Sequence, residues 1–286
     1  MKHETSLGSS RSALTVKSLI GGVAAAALLG LSINAQAQTC VVDNWTSQTG
    51  LTNANAGVQD GDNRRYGGPC GLRVPGGGAA YVTDETPSAE GSYIARFYAY
   101  LDDAGTDPVV IYEATDGTDF VARVWYNADS TGAASPGDIT LQVADNGSPN
   151  NFSTFTGVGS GWHSIEFAWE AAAAADIQFS VNGAADQTLS LDTSGFQIAD
   201  ASLGNVNGAA TGPMDFDDFD SRRISRPGRL LVGDANDDGS INVLDGLAVF
   251  QESAGTSFAA GQPDCTEDGS VNVLDGLCIF TISAGG

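Results

Sequence analysis

Apolar and polar residues alternate in short segments between residues 93 and 222. A period of two is typical of strands with one buried face, and the segment ending at Val181 runs into Asn182-Gly183, a strong hairpin turn. About nine such segments, 8 to 15 residues apart, predict an antiparallel β-sandwich. The alternating apolar positions include Phe97, Ala99, Leu101, Ile139, Leu141, Val143, Ile165, Phe167, Ile177, Phe179 and Val181.

The flanking segments differ in pattern from this region. Residues 38–92 are rich in Gly, Asn and Asp and carry turn signals such as Pro75-Gly76. Residues 224–231 contain Arg226, Pro227 and Gly228, which indicate a linker. Its positive charge is compatible either with holding two acidic modules close or with simple solvation. We therefore predict a sandwich domain over 38–223, a linker over 224–231 and a small module over 232–286.

The C-terminal module contains two similar segments thirty residues apart. Each has oxygen-bearing residues at positions 1, 3, 5, 7, 9 and 12 of a twelve-residue loop and Gly at position 6, the pattern that supplies about six oxygens to Ca²⁺. The sequence therefore predicts two calcium sites. The ligands of loop 1 are Asp234, Asn236, Asp238, the Ser240 carbonyl, Asn242 and Asp245, and those of loop 2 are Asp264, Thr266, Asp268, the Ser270 carbonyl, Asn272 and Asp275.

A single helix is predicted after each loop. Val243, Leu247 and Phe250 share one face of the first helix, and the second repeats this face thirty residues later. Gly255 and Gly285 are expected to end the two helices. Linker with Pro227 precedes the first loop, so these units differ from helix-loop-helix EF-hands.

This paired D-x-N-x-D-G-x-x-N-x-x-D arrangement over residues 232–284 resembles type I dockerins. The resemblance is specific in loop 1 and departs in loop 2, where Thr266 stands at position 3 and predicts a weaker site. It implies docking to a cohesin-like domain through side chains just after each loop, in either of two orientations. Carried over to this chain, the contact residues are Val243, Leu244, Val273 and Leu274. The alternative is a calcium-stabilised tail without a cohesin partner.

A second resemblance covers residues 90–223. The segments Gly161–Phe167, Phe179–Gly183 and Phe216–Phe219 resemble the laminin-G/concanavalin-like jelly-roll superfamily. The expected fold class is therefore an all-β jelly-roll sandwich followed by a small pair of α calcium-loop-helix (F-hand) units. That superfamily includes lectins, glycosidases and adhesion domains, so the fold alone does not assign a function.

Catalytic residues are not evident in the sandwich. Jelly-roll glycosidases carry paired carboxylates in patterns such as E-x-D-x-x-E, and glycoside hydrolysis needs two carboxylates about 5–9 Å apart. Glu166 has no obvious partner, His163 is interpreted as structural, and the acids of residues 215–220 are interpreted as a solvated face or a cation site at the rim. We name no catalytic residue and favour a non-enzymatic role.

A glycan is a candidate ligand of the sandwich. Tyr66, Trp125 and Tyr126 are candidates for stacking against a sugar, whereas Trp45, Trp162 and Trp169 could equally belong to the core. The sequence does not choose among these aromatic residues.

Four cysteines permit three pairings. We favour Cys40–Cys70 and Cys265–Cys278, because each pair then lies within one proposed domain. Zinc is disfavoured, since the chain has no CxxC motif and two histidines.

The N-terminus predicts export. A basic stretch and the apolar run Leu19–Ile33 precede Ala35-Gln36-Ala37, which is typical of a signal peptide ending at residue 37. We expect a secreted or cell-surface bacterial protein, or a periplasmic one, without membrane insertion after cleavage. The formal charge of −23 and the absence of lysine after Lys17 disfavour nucleic acid as a partner.

Together these features predict an exported, non-catalytic recognition or adhesion protein with a calcium-dependent docking module. The alternative is an extracellular polysaccharide-degrading enzyme, a glycoside hydrolase tethered by a dockerin.

Overall fold

The structure is a computed structural model that describes residues 40–57, 64–85 and 87–285. The predicted signal peptide, residues 1–37, lies outside these ranges. Within them, no helix is both long and apolar enough to cross a bilayer.

The described chain contains fourteen strands, ten of them between residues 92 and 222, where the alternation predicted about nine. Short 3-10 turns occupy Val42–Asn44 and Asn53–Asn55. The strands are β1 Ser47–Thr49, β2 Ala56–Gly57, β3 Gly71–Val74, β4 Ala80–Asp84, β5 Ser92–Tyr100, β6 Val109–Thr115, β7 Phe120–Ala128, β8 Ala134–Val143, β9 Asn151–Phe155, β10 Trp162–Glu170, β11 Ala175–Val181, β12 Gln187–Leu191, β13 Asp200–Asn205 and β14 Met214–Arg222.

The strands build two seven-stranded antiparallel sheets. The first sheet has the order β1-β4-β13-β6-β7-β8-β9 and the second β12-β11-β10-β5-β14-β3-β2. Alternate side chains of both sheets meet in one core, where Phe97, Ile165 and Phe179 are fully buried. The predicted all-β jelly-roll sandwich, followed by a small α pair, is therefore confirmed.

Strand β14 corrects one sequence interpretation. Its acids were expected on a solvated face or in a cation site at the rim, yet Asp215 is 1% exposed and lies between Arg64 and Arg73, with N–O distances of 3.7 and 3.5 Å. The strand also bulges between Asp217 and Asp220 relative to β5. A buried carboxylate persists when cations and hydrogen bonds compensate for its lost hydration, and these two arginines provide that compensation.

The C-terminal module contains two helices, α1 Val243–Ser253 and α2 Val273–Ser283. Both begin with a capping box, Asn242 with Asp245 and Asn272 with Asp275. The predicted ends are confirmed, since Gly255 and Gly285 follow the helices at φ 70° and 84°.

The two helices pack reciprocally. The Phe250 and Phe280 rings lie 5.5 Å apart. A Cβ added at Gly246 would lie 2.6 Å from the Phe280 ring, and one at Gly276 would lie 2.5 Å from the Phe250 ring. Each phenylalanine therefore occupies space that the glycine of the other helix leaves open.

Both preferred disulfides are confirmed. Cys40 bonds Cys70 and Cys265 bonds Cys278, with Cα–Cα distances of 5.6 and 6.0 Å. Such bridges are compatible with an oxidising, extracellular environment.

Candidate metal centre

Loop 1 is organised by hydrogen bonds among its predicted ligands. Asp234 accepts from the backbone N–H groups of Asp238 (3.1 Å) and Gly239 (2.8 Å). Asp245 accepts from those of Asn236 (3.0 Å) and Asn242 (2.8 Å). The first and last ligands therefore hold the loop closed, and Gly239 makes its sharp turn at φ 83°.

Loop 2 repeats this geometry. Asp264 accepts from the backbone of Asp268 (3.1 Å) and Gly269 (2.7 Å), and Asp275 accepts from that of Thr266 (3.0 Å). The Thr266 hydroxyl also donates to Asp275 Oδ1 at 2.8 Å. The Thr266 side chain therefore lies inside the loop. The sequence predicts that loop 2, with Thr266 at position 3, is a weaker calcium site than loop 1, which has Asn236 there.

Four carboxylates at the loop ends are buried. Asp234 is 5% exposed, Asp264 2%, and Asp245 and Asp275 are fully buried. In the described part of the chain, none of the four forms an ion pair with an arginine. A buried carboxylate without a counter-charge is unfavourable, so these positions have the charge and donor type that suit a divalent cation.

Burial is the main cause that raises the pKa of Asp264 to about 7, and the nearby Asp275 and Asp268 carboxylates raise it further. Backbone donation from Gly269 opposes this shift.

Among residues 40–57, 64–85 and 87–285, no three His, Cys, Asp or Glu side chains are arranged to hold a metal ion. The predicted ligand sets also use amide, hydroxyl and carbonyl oxygens, which calcium accepts equally.

The predicted partner-binding residues lie on the surface. Val243 is 60% exposed, Leu244 57%, Val273 55% and Leu274 58%. Leu247 and Leu277, one turn further along, are also about half exposed. The helices bury Val249 and Ile279 instead, so an apolar face remains uncovered at equivalent positions of both repeats.

Residues 64–68 form a connector between the sandwich and the module. The buried Arg65 guanidinium binds Glu252 of α1 and the Gly68 carbonyl. The Gly68 N–H donates to the Gly261 carbonyl at 3.1 Å. The connector therefore holds α1 and the segment before loop 2 against the sandwich.

The linker is also docked on the sandwich. Arg226 binds both Glu166 and Asp186, and the Leu230 N–H donates to the Tyr98 hydroxyl at 2.7 Å. Arg229 of the linker also binds Glu267 of the module. These ion pairs favour the interpretation that the linker's positive charge holds the two acidic modules close.

The glycan candidates are mostly core residues. Tyr66 is 1% exposed and Tyr126 8%, so both predictions of a sugar-stacking surface are wrong. Tyr66 instead stacks on Tyr98 at 3.7 Å between ring centroids. Trp125 is half-buried, and its Nε1 donates to Gln142 at 2.9 Å.

His163 is buried, and its Nδ1 lies 3.1 Å from the Asn182 amide nitrogen. Burial lowers the pKa of the imidazole, so the neutral form is favoured at this position.

No protein-family model and no curated protein matches the chain. Among solved structures it resembles the receptor-binding domain of botulinum neurotoxin type G, with a TM-score of 0.40, 10% identity, and coverage of 60% of this chain and 45% of that one. For the receptor-binding domain of the botulinum neurotoxin C/D mosaic serotype, the TM-score is 0.39 and the identity 11%, with coverage of 54% of this chain and 40% of that one.

The binding domain of botulinum neurotoxin DC, solved in complex with SialylT, gives a TM-score of 0.40 and 10% identity over 54% of this chain and 39% of that one. The chain spans less than half the length of these structures. Similarity at this level assigns neither a ligand nor an activity to this chain.

Proposed function

We propose that this chain is an exported, non-catalytic recognition protein whose C-terminal module binds two calcium ions and then docks to a partner protein. The observation that supports calcium most directly is the set of four buried aspartates, two in each loop, that have no arginine partner among the residues that the structure describes. A divalent cation at each loop compensates for their lost hydration and mutual repulsion.

The loops also have the right donors at the right spacing. In loop 1, Asp234, Asn236 and Asp238 supply side-chain oxygens, and Ser240 supplies a carbonyl. Asp245 connects to the first helical turn through the capping box. Calcium at this position therefore links loop order to helix order, and its binding free energy contributes to the folding of the module.

The uncovered apolar face supports docking. Monomeric proteins rarely expose contiguous apolar side chains without a binding role, and here the equivalent residues of both helices are exposed. The resemblance to dockerins makes a cohesin-like domain the proposed partner. The contact residues would be Val243 and Leu244 in one orientation and Val273 and Leu274 in the other.

A non-catalytic sandwich is proposed because two of its buried carboxylates are engaged in ion pairs. Glu166 is bound to Arg226, and Asp215 lies between two arginines. Trp125 is the candidate that keeps partly exposed surface for a glycan. The alternative, a tethered polysaccharide-degrading enzyme, would have to use Glu166 and Asp186 as its carboxylate pair, since both are bound to Arg226 in one pocket.

Calcium titration of the full chain by calorimetry tests the first step. We expect two sites, with loop 1 the tighter because Asn236 offers a carbonyl oxygen where loop 2 has the Thr266 hydroxyl. Asp234→Asn and Asp264→Asn form a matched pair, and each should weaken its own site. Absence of any heat of binding in the unmodified chain would contradict the proposal.

The second step uses a purified cohesin-type domain as the probe, in calcium and in chelator. If the two faces are interchangeable, Val243→Asp/Leu244→Asp and Val273→Asp/Leu274→Asp should each retain binding, while the fourfold variant loses it. Binding that persists in chelator or in the fourfold variant would exclude this surface. No binding to any cohesin-type domain would leave the calcium-stabilised tail as the better interpretation.

A further inference from the structure

We infer that the sandwich and the linker docked on it tune the calcium affinity of loop 2, but not that of loop 1, through a contact surface formed by Tyr66 and Tyr100 of the sandwich and Arg229 of the linker. We call this surface the loop-2 seat. The inference rests on the proposed function, because it concerns how one of the two calcium loops is held.

Glu267, at position 4 of loop 2, makes the first contact. Its carboxylate binds the Arg229 guanidinium and accepts from the Tyr66 hydroxyl at 3.3 Å. Glu267 lies between the ligands Thr266 and Asp268 and has a φ of 56°, a backbone conformation that glutamate rarely adopts. Asp237, at the equivalent position of loop 1, has nearly the same φ of 59°, so the loops share this conformation and the two contacts add support to it in loop 2.

Gly269, at position 6, makes the second contact. A Cβ added there would lie 3.3 Å from the Tyr100 ring and 3.8 Å from the Arg64 side chain. The sharp turn of loop 2 is thus packed against the sandwich. On the other side of Glu267, a Cβ at Gly161 would lie 3.5 Å from the Glu267 carbonyl.

The residues of the loop-2 seat are held in position by aromatic packing and hydrogen bonds. Tyr66 stacks on Tyr98, and its ring centroid lies 5.7 Å from that of Trp162. Its backbone N–H and that of Gly67 donate to the Asp217 carboxylate. Arg64, two residues before Tyr66, stacks over the Tyr100 ring at 4.1 Å. A surface fixed by strand β14 and by aromatic packing can restrict the loop that rests on it.

Loop 1 has different surroundings at the equivalent positions. A Cβ added at Gly239 would meet nothing within 4 Å. Asp237, the equivalent of Glu267, lines a small cavity together with Asp218 of the sandwich. These two carboxylates have the same charge, so the contact at position 4 is repulsive in loop 1 and attractive in loop 2.

The physical consequence follows from preorganisation. A loop already held near its bound conformation loses less conformational freedom when it binds an ion. Coupling between two binding events is reciprocal, so calcium in loop 2 also strengthens the contact between the module and the sandwich. The seat thereby offsets the weaker ligand at Thr266.

The test is calcium titration of the ¹⁵N-labelled full chain, with the amide resonances of Gly239 and Gly269 reporting each loop separately. In Arg229→Gln and Tyr66→Phe, we expect the Kd of loop 2 to rise roughly fivefold and that of loop 1 to stay unchanged. The matched control Arg123→Gln removes an arginine that is ion-paired with Glu113 on the other sheet. It should change neither loop.

The sign of the Arg229→Gln effect separates the inference from simple electrostatics. Removing a cation near a calcium site, without any coupling, would lower the Kd of loop 2. A lower or unchanged Kd in Arg229→Gln, or an equal rise in both loops, would overturn the inference. Should Arg229→Gln disturb the fold, the uncharged Tyr66→Phe exchange decides in the same way. If neither glycine responds to calcium in the unmodified chain, the proposed function itself fails.

Discussion

The two loop-helix repeats of the module have nearly the same internal geometry and different surroundings. Both close their loops through the first and last aspartates, and both start their helices with the same capping box. Repeat 2 carries the Cys265–Cys278 bridge and rests on the sandwich, whereas the equivalent positions of repeat 1 are Ala235 and Ala248. The repeat with the poorer ligand set is therefore the one with more external support.

Helix α1 is supported at another point. Its Glu252 is bound by the buried Arg65, whereas the equivalent residue of α2 is Ile282, 42% exposed. Each repeat thus contacts the sandwich through a different part, α1 through its last turn and repeat 2 through its loop. The shared sequence pattern gives the two repeats the same local geometry. They differ in the contacts that each makes with the rest of the chain.

The largest effect is expected from breaking the α1 contact. Arg65→Met leaves Glu252 buried without its cation, which should lower the free energy of unfolding by about 3–5 kcal/mol. The control Arg222→Met removes a 43%-exposed arginine paired with Asp220 and should leave the free energy of unfolding nearly unchanged, because water screens an exposed ion pair. Urea unfolding of both variants in calcium measures the difference. Equal losses would show that the connector does not stabilise the module.

A smaller effect is expected from making repeat 2 resemble repeat 1. The double variant Cys265→Ala/Cys278→Ala places alanine at both positions of repeat 2, as repeat 1 has at the equivalent Ala235 and Ala248. Loss of a bridge between residues 13 apart should destabilise the chain by about 3 kcal/mol. Urea unfolding followed by helical circular dichroism measures this, with Cys40–Cys70 left intact. A loss below about 1 kcal/mol would mean that the loop-2 seat alone holds the repeat.

The smallest effect concerns pH in the presence of chelator. The pKa of Asp264 is raised from 3.8 to about 7 in the folded chain, so the folded state holds a proton that the unfolded state releases. This contribution to stability is complete below about pH 4 and is lost as pH rises through 7. We expect a loss of about 1 kcal/mol between pH 6 and pH 7.

Thermal or urea unfolding at the two pH values measures this loss. Asp264→Asn should remove it, whereas Asp234→Asn in loop 1 should leave it in place. A pH dependence that survives Asp264→Asn would assign the titration to another group.

The local features of this chain were predictable from sequence, and the reason is physical. Alternation identified strands such as β5, β8, β10 and β11, because their residues face a core on one side. Strands β1 to β4 were missed, since they have two to five residues in a segment rich in Gly and Asn, and β9 and β13 were missed as well. The turn glycines of the loops and the helix ends depend on residues within twelve positions, so their pattern was sufficient.

The contacts between the sandwich and the module were not predictable in this way. Arg65 and Glu252 are 187 residues apart, and no local pattern connects them. Tyr66 was interpreted as a sugar-stacking residue because a lone tyrosine does not reveal what covers it. The adjacent Arg64 and Arg65 in an otherwise acidic chain were a signal that these positions need acidic partners.

The docked linker has a consequence for proteolysis. Ile224 is 95% exposed and follows Arg222 and Arg223, so trypsin has ready access to this point of the chain. Each disulfide lies wholly on one side of it. After a cut there, only noncovalent contacts join the two fragments, among them the Arg65–Glu252 and Arg226–Glu166 ion pairs. A nicked chain would therefore migrate as one particle in native buffer and as two polypeptides in a denaturing gel.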